Sequence, residues 1–90
     1  MNLTTLRKQI DQTDTKIVKL LAKRLKLAKH AAKLKKINNL PRTNKKRENT
    51  VLENTKKQAK KHSLRPSYIK DIFKRIIKES HIEEKEIMKK

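Results

Sequence analysis

Apolar residues recur at helical spacing in three stretches, separated by the only strong helix breakers, Pro41 and Pro66. In the first, Leu6, Ile10, Ile17, Leu20, Leu21, Leu27, Ala28, Ala31 and Leu34 gather on one stripe at about 100° per residue. This predicts a helix over about 4–36, capped by Thr4 or Thr5 and ended by Asn38, Asn39 and Pro41. A second helix, over about 44–62, takes Thr43 or Asn44 as its cap and carries little apolar content beyond Val51, Leu52 and Ala59. A third, over about 66–88, begins on Pro66, where a missing N–H costs nothing. Ile69, Ile72, Phe73, Ile76, Ile77 and Ile87 form its stripe. The expected fold is all-α, with one long and two shorter helices in a single domain over 1–90, since no shift in composition marks a boundary.

The first helix is long for so short a chain. Some 33 residues at ~1.5 Å each make a rod of roughly 50 Å, whereas a compact chain of this size has a radius of gyration near 12 Å. Two shorter helices cannot cover such a stripe. A second copy of the chain must cover part of it, so a homodimer is expected.

Polar residues interrupt both long stripes. Arg24 and Lys35 fall within the apolar face of the first helix, only about 20° apart around its axis and about 16 Å apart along it. Ala28 and Ala31 lie between them, which makes a shallow pocket of small side chains with a cation at each end. Buried cations require anionic partners. Taken singly, each is explained as well by a snorkelling side chain or an internal ion pair. On the third helix Ser80 and Glu84 are i, i+4 neighbours in line with Ile69, Ile72, Phe73 and Ile76; the plainer alternative ends the stripe at Ile77 and leaves the last turns solvated. Arg47 and Glu48 open the second helix, where an acidic residue suits the helix dipole. Arg7 sits at the edge of the stripe, about 100° around the first helix from Arg24, so it cannot easily point into the same pocket from its own chain, and in a dimer it could reach the partner's. His30, His62 and His81 have no partner at metal or triad spacing and are expected on the surface; Tyr68 and Phe73 are expected to pack in the core.

Composition narrows the chemistry. The 90 residues include 27 Lys and Arg against nine Asp and Glu, a formal charge of +18, with no Cys, Trp or Gly. Disulfides, thiolate metal sites, glycine phosphate loops and nucleophile elbows are excluded. No apolar run approaches the ~20 residues of a membrane span, and the N-terminus is too charged for a signal peptide, so a cytoplasmic location is the expectation. No metal or other cofactor is expected.

Taken in order, Leu6-Arg7-x-x-Ile10-Asp11-x-x-Asp14, Leu20-Leu21-Ala22-x-Arg24, Ala28 through Lys35, Pro41, Arg47-Glu48, Tyr68-Ile69-x-x-Ile72-Phe73 and Ile76-Ile77-x-x-Ser80 resemble the all-helical class of chorismate mutase over roughly residues 3–88. The resemblance implies an intertwined three-helix homodimer with two shared active sites. It also implies rearrangement of chorismate to prephenate, at the branch toward phenylalanine and tyrosine. Carried over by position, Arg7 enters the partner's site and holds a substrate carboxylate. Arg24 binds the other carboxylate region with help from Ser80, and Arg47 lines the carboxylate side. Lys35 donates to the ether oxygen. Glu48 accepts from the ring hydroxyl, helped by the backbone N–H at Asn44. Arg24, Lys35 and Glu84 would carry the catalysis. Two positions depart from the common bacterial form: Asn44 stands where it has Asp, and Glu84 where it has Gln. A carboxylic acid donates a hydrogen bond only when protonated, so Glu84 implies activity that rises as the pH falls below neutral.

The residues agree in kind. Rearrangement of a dianion needs a water-poor pocket that holds the folded conformer and stabilises charge developing on the ether oxygen. Arginines grip carboxylates bidentately, and a net charge of +18 draws an anion inward. A rival within the same fold is an isochorismate-pyruvate lyase, against which Glu84 weighs slightly. A rival from another class is a basic helical nucleic-acid-binding protein. The charge fits it, but one Tyr and one Phe supply almost no stacking surface and no binding motif is present.

Overall fold

The computed structural model describes residues 2–89. Three helices account for nearly all of them: α1 (Leu3–Ile37), α2 (Lys45–Lys61) and α3 (Pro66–Lys89). Their bounds lie within a residue or two of those the periodicity predicts. The cap of α1 differs: Asn2, not Thr4 or Thr5, accepts from the backbone N–H of Thr5 at 2.9 Å. Asn44 caps α2 by accepting from the N–H of Arg47 at 3.1 Å. In both cases an extended residue with a short side-chain oxygen satisfies a helix donor that has no partner within the helix.

Both connections leave their helix by the same device, although the chain has no glycine. After α1, Asn39 takes φ 53°, its N–H bonds the Lys36 carbonyl, and the N–H of Leu40 bonds that of Lys35 at 2.8 Å. After α2, Ser63 takes φ 60°, with its N–H on Lys60 and that of Leu64 on Ala59 at 2.8 Å. Each is a Schellman turn with a residue other than glycine in the left-handed position. The first turn places Arg42 beside the end of α1, where the site forms.

Helix α3 packs against both α1 and α2. The buried apolar residues are small: Ala32 on α1 is wholly buried and Ala59 on α2 nearly so. Small side chains let neighbouring backbones approach closely, and Ile69, Phe73, Ile76 and Ile77 of α3 fill the seam half-buried. No large side chain among the described residues is fully buried, so the protomer's core is thin. Tyr68, expected in the core, is 54% exposed.

Most of the α1 stripe is uncovered. Leu6, Ile10, Ile17, Leu20, Leu21, Leu27 and Leu34 are exposed, Leu20 by 64%. The protomer extends 55 × 25 × 15 Å with a radius of gyration of 16.2 Å, well above the ~12 Å of a compact chain of this length. A long rod with a bare apolar face is what the sequence pattern predicts for the chain taken alone. No helix among the described residues is long and apolar enough to cross a membrane.

Candidate active site

Where α1, the 38–44 connection, α2 and α3 converge, they line a half-open cavity of about 400 Å³. Leu27, Ala28, Ala31, Val51 and Ile77 form its apolar walls. Seven of the eight residues singled out from the sequence line it: Arg24 and Lys35 from α1, Asn44, Arg47 and Glu48 from the start of α2, and Ser80 and Glu84 from α3. The eighth, Arg7, is exposed and lies outside this cavity, 17 residues before Arg24 on the same straight rod and thus about 25 Å away along it.

The α3 stripe does not end at Ile77. Ser80 and Glu84 are each only 7% exposed, and they are the buried polar residues among those described. Each has partners. Ser80 Oγ donates to the Ile76 carbonyl at 3.2 Å and accepts from Arg24 Nη1 at 3.0 Å. Glu84 Oε1 faces Lys35 Nζ at 3.6 Å, and Lys35 Nζ also donates to the Arg42 carbonyl at 2.9 Å. The ammonium is thereby held at the cavity by a backbone oxygen and a carboxylate together.

The electrostatics are lopsided. Burial, and then the neighbouring Arg47 guanidinium, pull Arg24 below its ordinary value, while Glu84 pushes it back up. An arginine so placed stays charged at any physiological pH. With Arg42, which also lines it, the cavity gathers three guanidinium groups, an ammonium, a hydroxyl and two carboxylates, an excess of positive charge.

Two further residues belong to this cavity. His81, expected on the surface, is half-buried within it, and its Nε2 meets Glu48 Oε1. Arg42 also lines it and places Nη1 3.2 Å from His81 Nδ1. Arg42 lies in a connection, where periodicity carries no information. His81 follows Ser80 directly, and that adjacency to a stripe-breaking polar residue is the signal that could have found it.

The model of the family described as chorismate mutase type II matches residues 6–85. The chain belongs to the type II chorismate mutase family. Among individual proteins, it is 38% identical over 89 residues to a bifunctional chorismate mutase/prephenate dehydratase of Buchnera aphidicola subsp. Schizaphis graminum, covering 99% of this chain and 23% of that one. It is 37% identical over 82 residues to a T-protein of Enterobacter agglomerans, covering 91% of this chain and 22% of that one. It is 31% identical over 86 residues to a chorismate mutase of Methanocaldococcus jannaschii, covering 96% of this chain and 87% of that one. The chain thus spans less than a quarter of the length of the first two of these relatives and most of the third.

Proposed function

We propose that this type II chorismate mutase chain rearranges chorismate to prephenate at the α1–α2–α3 cavity, as a homodimer in which each site borrows Arg7 from the other chain. The observation that carries the reading is the convergence of Arg24, Lys35, Ser80 and Glu84 on one cavity of about 400 Å³ with apolar walls. On this reading residues 1–90 make one mutase-like helical domain, and prephenate leaves toward the aromatic amino acids.

The rearrangement breaks one C–O bond and forms one C–C bond within a single molecule. The protein must select the folded conformer and favour the charge that builds on the departing ether oxygen. Arg24, anchored by Ser80, grips one carboxylate region. Arg47 lines the carboxylate side, and Arg7 of the second chain closes over the other carboxylate. Lys35, tethered to the Arg42 carbonyl, aims its ammonium at the ether oxygen. Glu84 supplies a second donor there only as the protonated acid; as the carboxylate paired with Lys35 it accepts. Glu48 accepts from the ring hydroxyl beside the Asn44 N–H. Each fixed donor at a developing oxyanion is worth about 10²–10³ in turnover, so two account for much of the acceleration.

Dimerisation is supported by the bare α1 stripe and by Arg7's position beyond its own chain's cavity. A second copy would cover the stripe and exclude water from the site. The test is loss of chorismate absorbance on adding purified protein, with isochorismate assayed in parallel. Chorismate loss with prephenate formation supports the reading; pyruvate release from isochorismate alone replaces it with the lyase.

A further inference from the structure

We infer that His81 is a positioning residue of this site, which together with Arg42 fixes the oxygen of Glu48 that faces the substrate hydroxyl. The inference rests on the mutase reading for what Glu48 does, but its geometry stands apart from that reading. His81 lies among four charged groups from every element around it: Glu48 of α2 at Nε2, Arg42 of the connection at Nδ1, Glu84 of its own helix 3.6 Å from Nδ1, and Lys35 of α1 across Glu84.

The partners assign the tautomer. A guanidinium only donates, so the Arg42 Nη1 contact at 3.2 Å requires Nδ1 to accept. In the neutral imidazole the proton then sits on Nε2 and is donated to Glu48 Oε1. The result is a directed chain, Arg42 to His81 to Glu48. It occupies one carboxylate oxygen and leaves the other free to accept from a hydroxyl in the cavity. Arg42 is further held by the His81 carbonyl at 3.5 Å, and its own carbonyl receives Lys35. One connection residue therefore braces both the acceptor for the ring hydroxyl and the donor for the ether oxygen.

Three measurements test this. The first is ¹⁵N NMR of His81 in the intact protein without substrate, which needs no turnover: a protonated Nε2 and an accepting Nδ1 are expected, and the reverse tautomer or a doubly protonated ring overturns the assignment whatever the protein catalyses. The second compares substitutions. His81→Leu should lower kcat/KM for chorismate by about 10–100-fold, with unchanged helical circular dichroism. His81→Gln, whose amide can donate from the place of Nε2, should restore activity to within a few-fold of wild type. A glutamine variant as impaired as the leucine variant overturns the inference. The third is a double-mutant cycle. In the Glu48→Gln background, His81→Leu should cost less than about 3-fold; an undiminished loss shows that His81 does not act through Glu48. A protein that consumes no chorismate fails the mutase reading and leaves the spectroscopic outcome to judge the tautomer.

Discussion

Lys35 and Glu84 face each other between α1 and α3, Nζ to Oε1 at 3.6 Å, each at a position that helical periodicity marks for an apolar side chain. Replacing a buried ion pair by apolar residues is often neutral or stabilising, so such pairs are weak evidence for stability. Here the pair sits at the cavity, where on the proposed reading Lys35 donates to the breaking ether bond.

Glu84 links the site to pH. The carboxylate paired with Lys35 only accepts, so Glu84 serves an ether oxygen only as the protonated acid. Glu84→Gln, whose amide donates at every pH, should give a flatter pH profile than its parent. Initial rates from pH 5 to 9 check this; a variant profile as steep as its parent's removes Glu84 from the role.

Arg24 should trade stability against activity. Burial and Arg47 hold it below its ordinary value. A cation with a depressed folded-state value costs folding stability wherever it is charged, which for arginine is the whole accessible pH range. In Arg24→Leu, Ser80 keeps its bond to the Ile76 carbonyl. The variant should melt at or above the wild-type temperature while turnover falls about 10²–10³-fold. By the same reasoning, a dicarboxylate that mimics the substrate should raise the melting temperature of wild type and leave that of Arg24→Leu nearly unchanged.

Ser63 holds φ 60° without the freedom of glycine. Ser63→Gly should stabilise the protein by roughly 0.5–1 kcal/mol, a rise of a few degrees in Tm. Asn39→Gly should gain less, because asparagine tolerates the left-handed region better. Thermal melts of both variants decide this, and a destabilised Ser63→Gly contradicts the account of the turn.

Arg7 tests the shared site. Neither Arg7→Ala nor Lys35→Ala should turn over chorismate alone. Refolded together in equal amounts they should recover about a quarter of wild-type activity, since half of randomly paired dimers are mixed and each mixed dimer keeps one intact site. No gain over either parent contradicts a site built from two chains.

Most of this structure is legible in the sequence, because helical periodicity survives even a lysine-rich composition. The two prolines and the stripes place three helices correctly, and Arg24, Lys35, Ser80 and Glu84 are visible as polar residues where apolar ones belong. Legibility fails where periodicity is silent. Arg42 lies in a connection, and Asn2 precedes the first turn. His81 is placed in the cavity by the crossing of α2 and α3, which no single helix encodes. Ala32 borders the α1 stripe, about 20° around the axis from Leu21, and is the most buried described residue on that helix, on the side that packs against α3. The stripe itself is mostly bare in the protomer, as a surface patterned for a second chain would be.

The most direct test of the central claim, that these cations grip a doubly negative molecule and turn it over, is chorismate consumption followed by absorbance for wild type beside Lys35→Ala. The account predicts rapid loss of chorismate with equimolar prephenate for wild type, and a rate at least 100-fold lower for a variant that keeps its helical fold. A wild-type rate no faster than the uncatalysed reaction, or a Lys35→Ala chain as active as its parent, would contradict it.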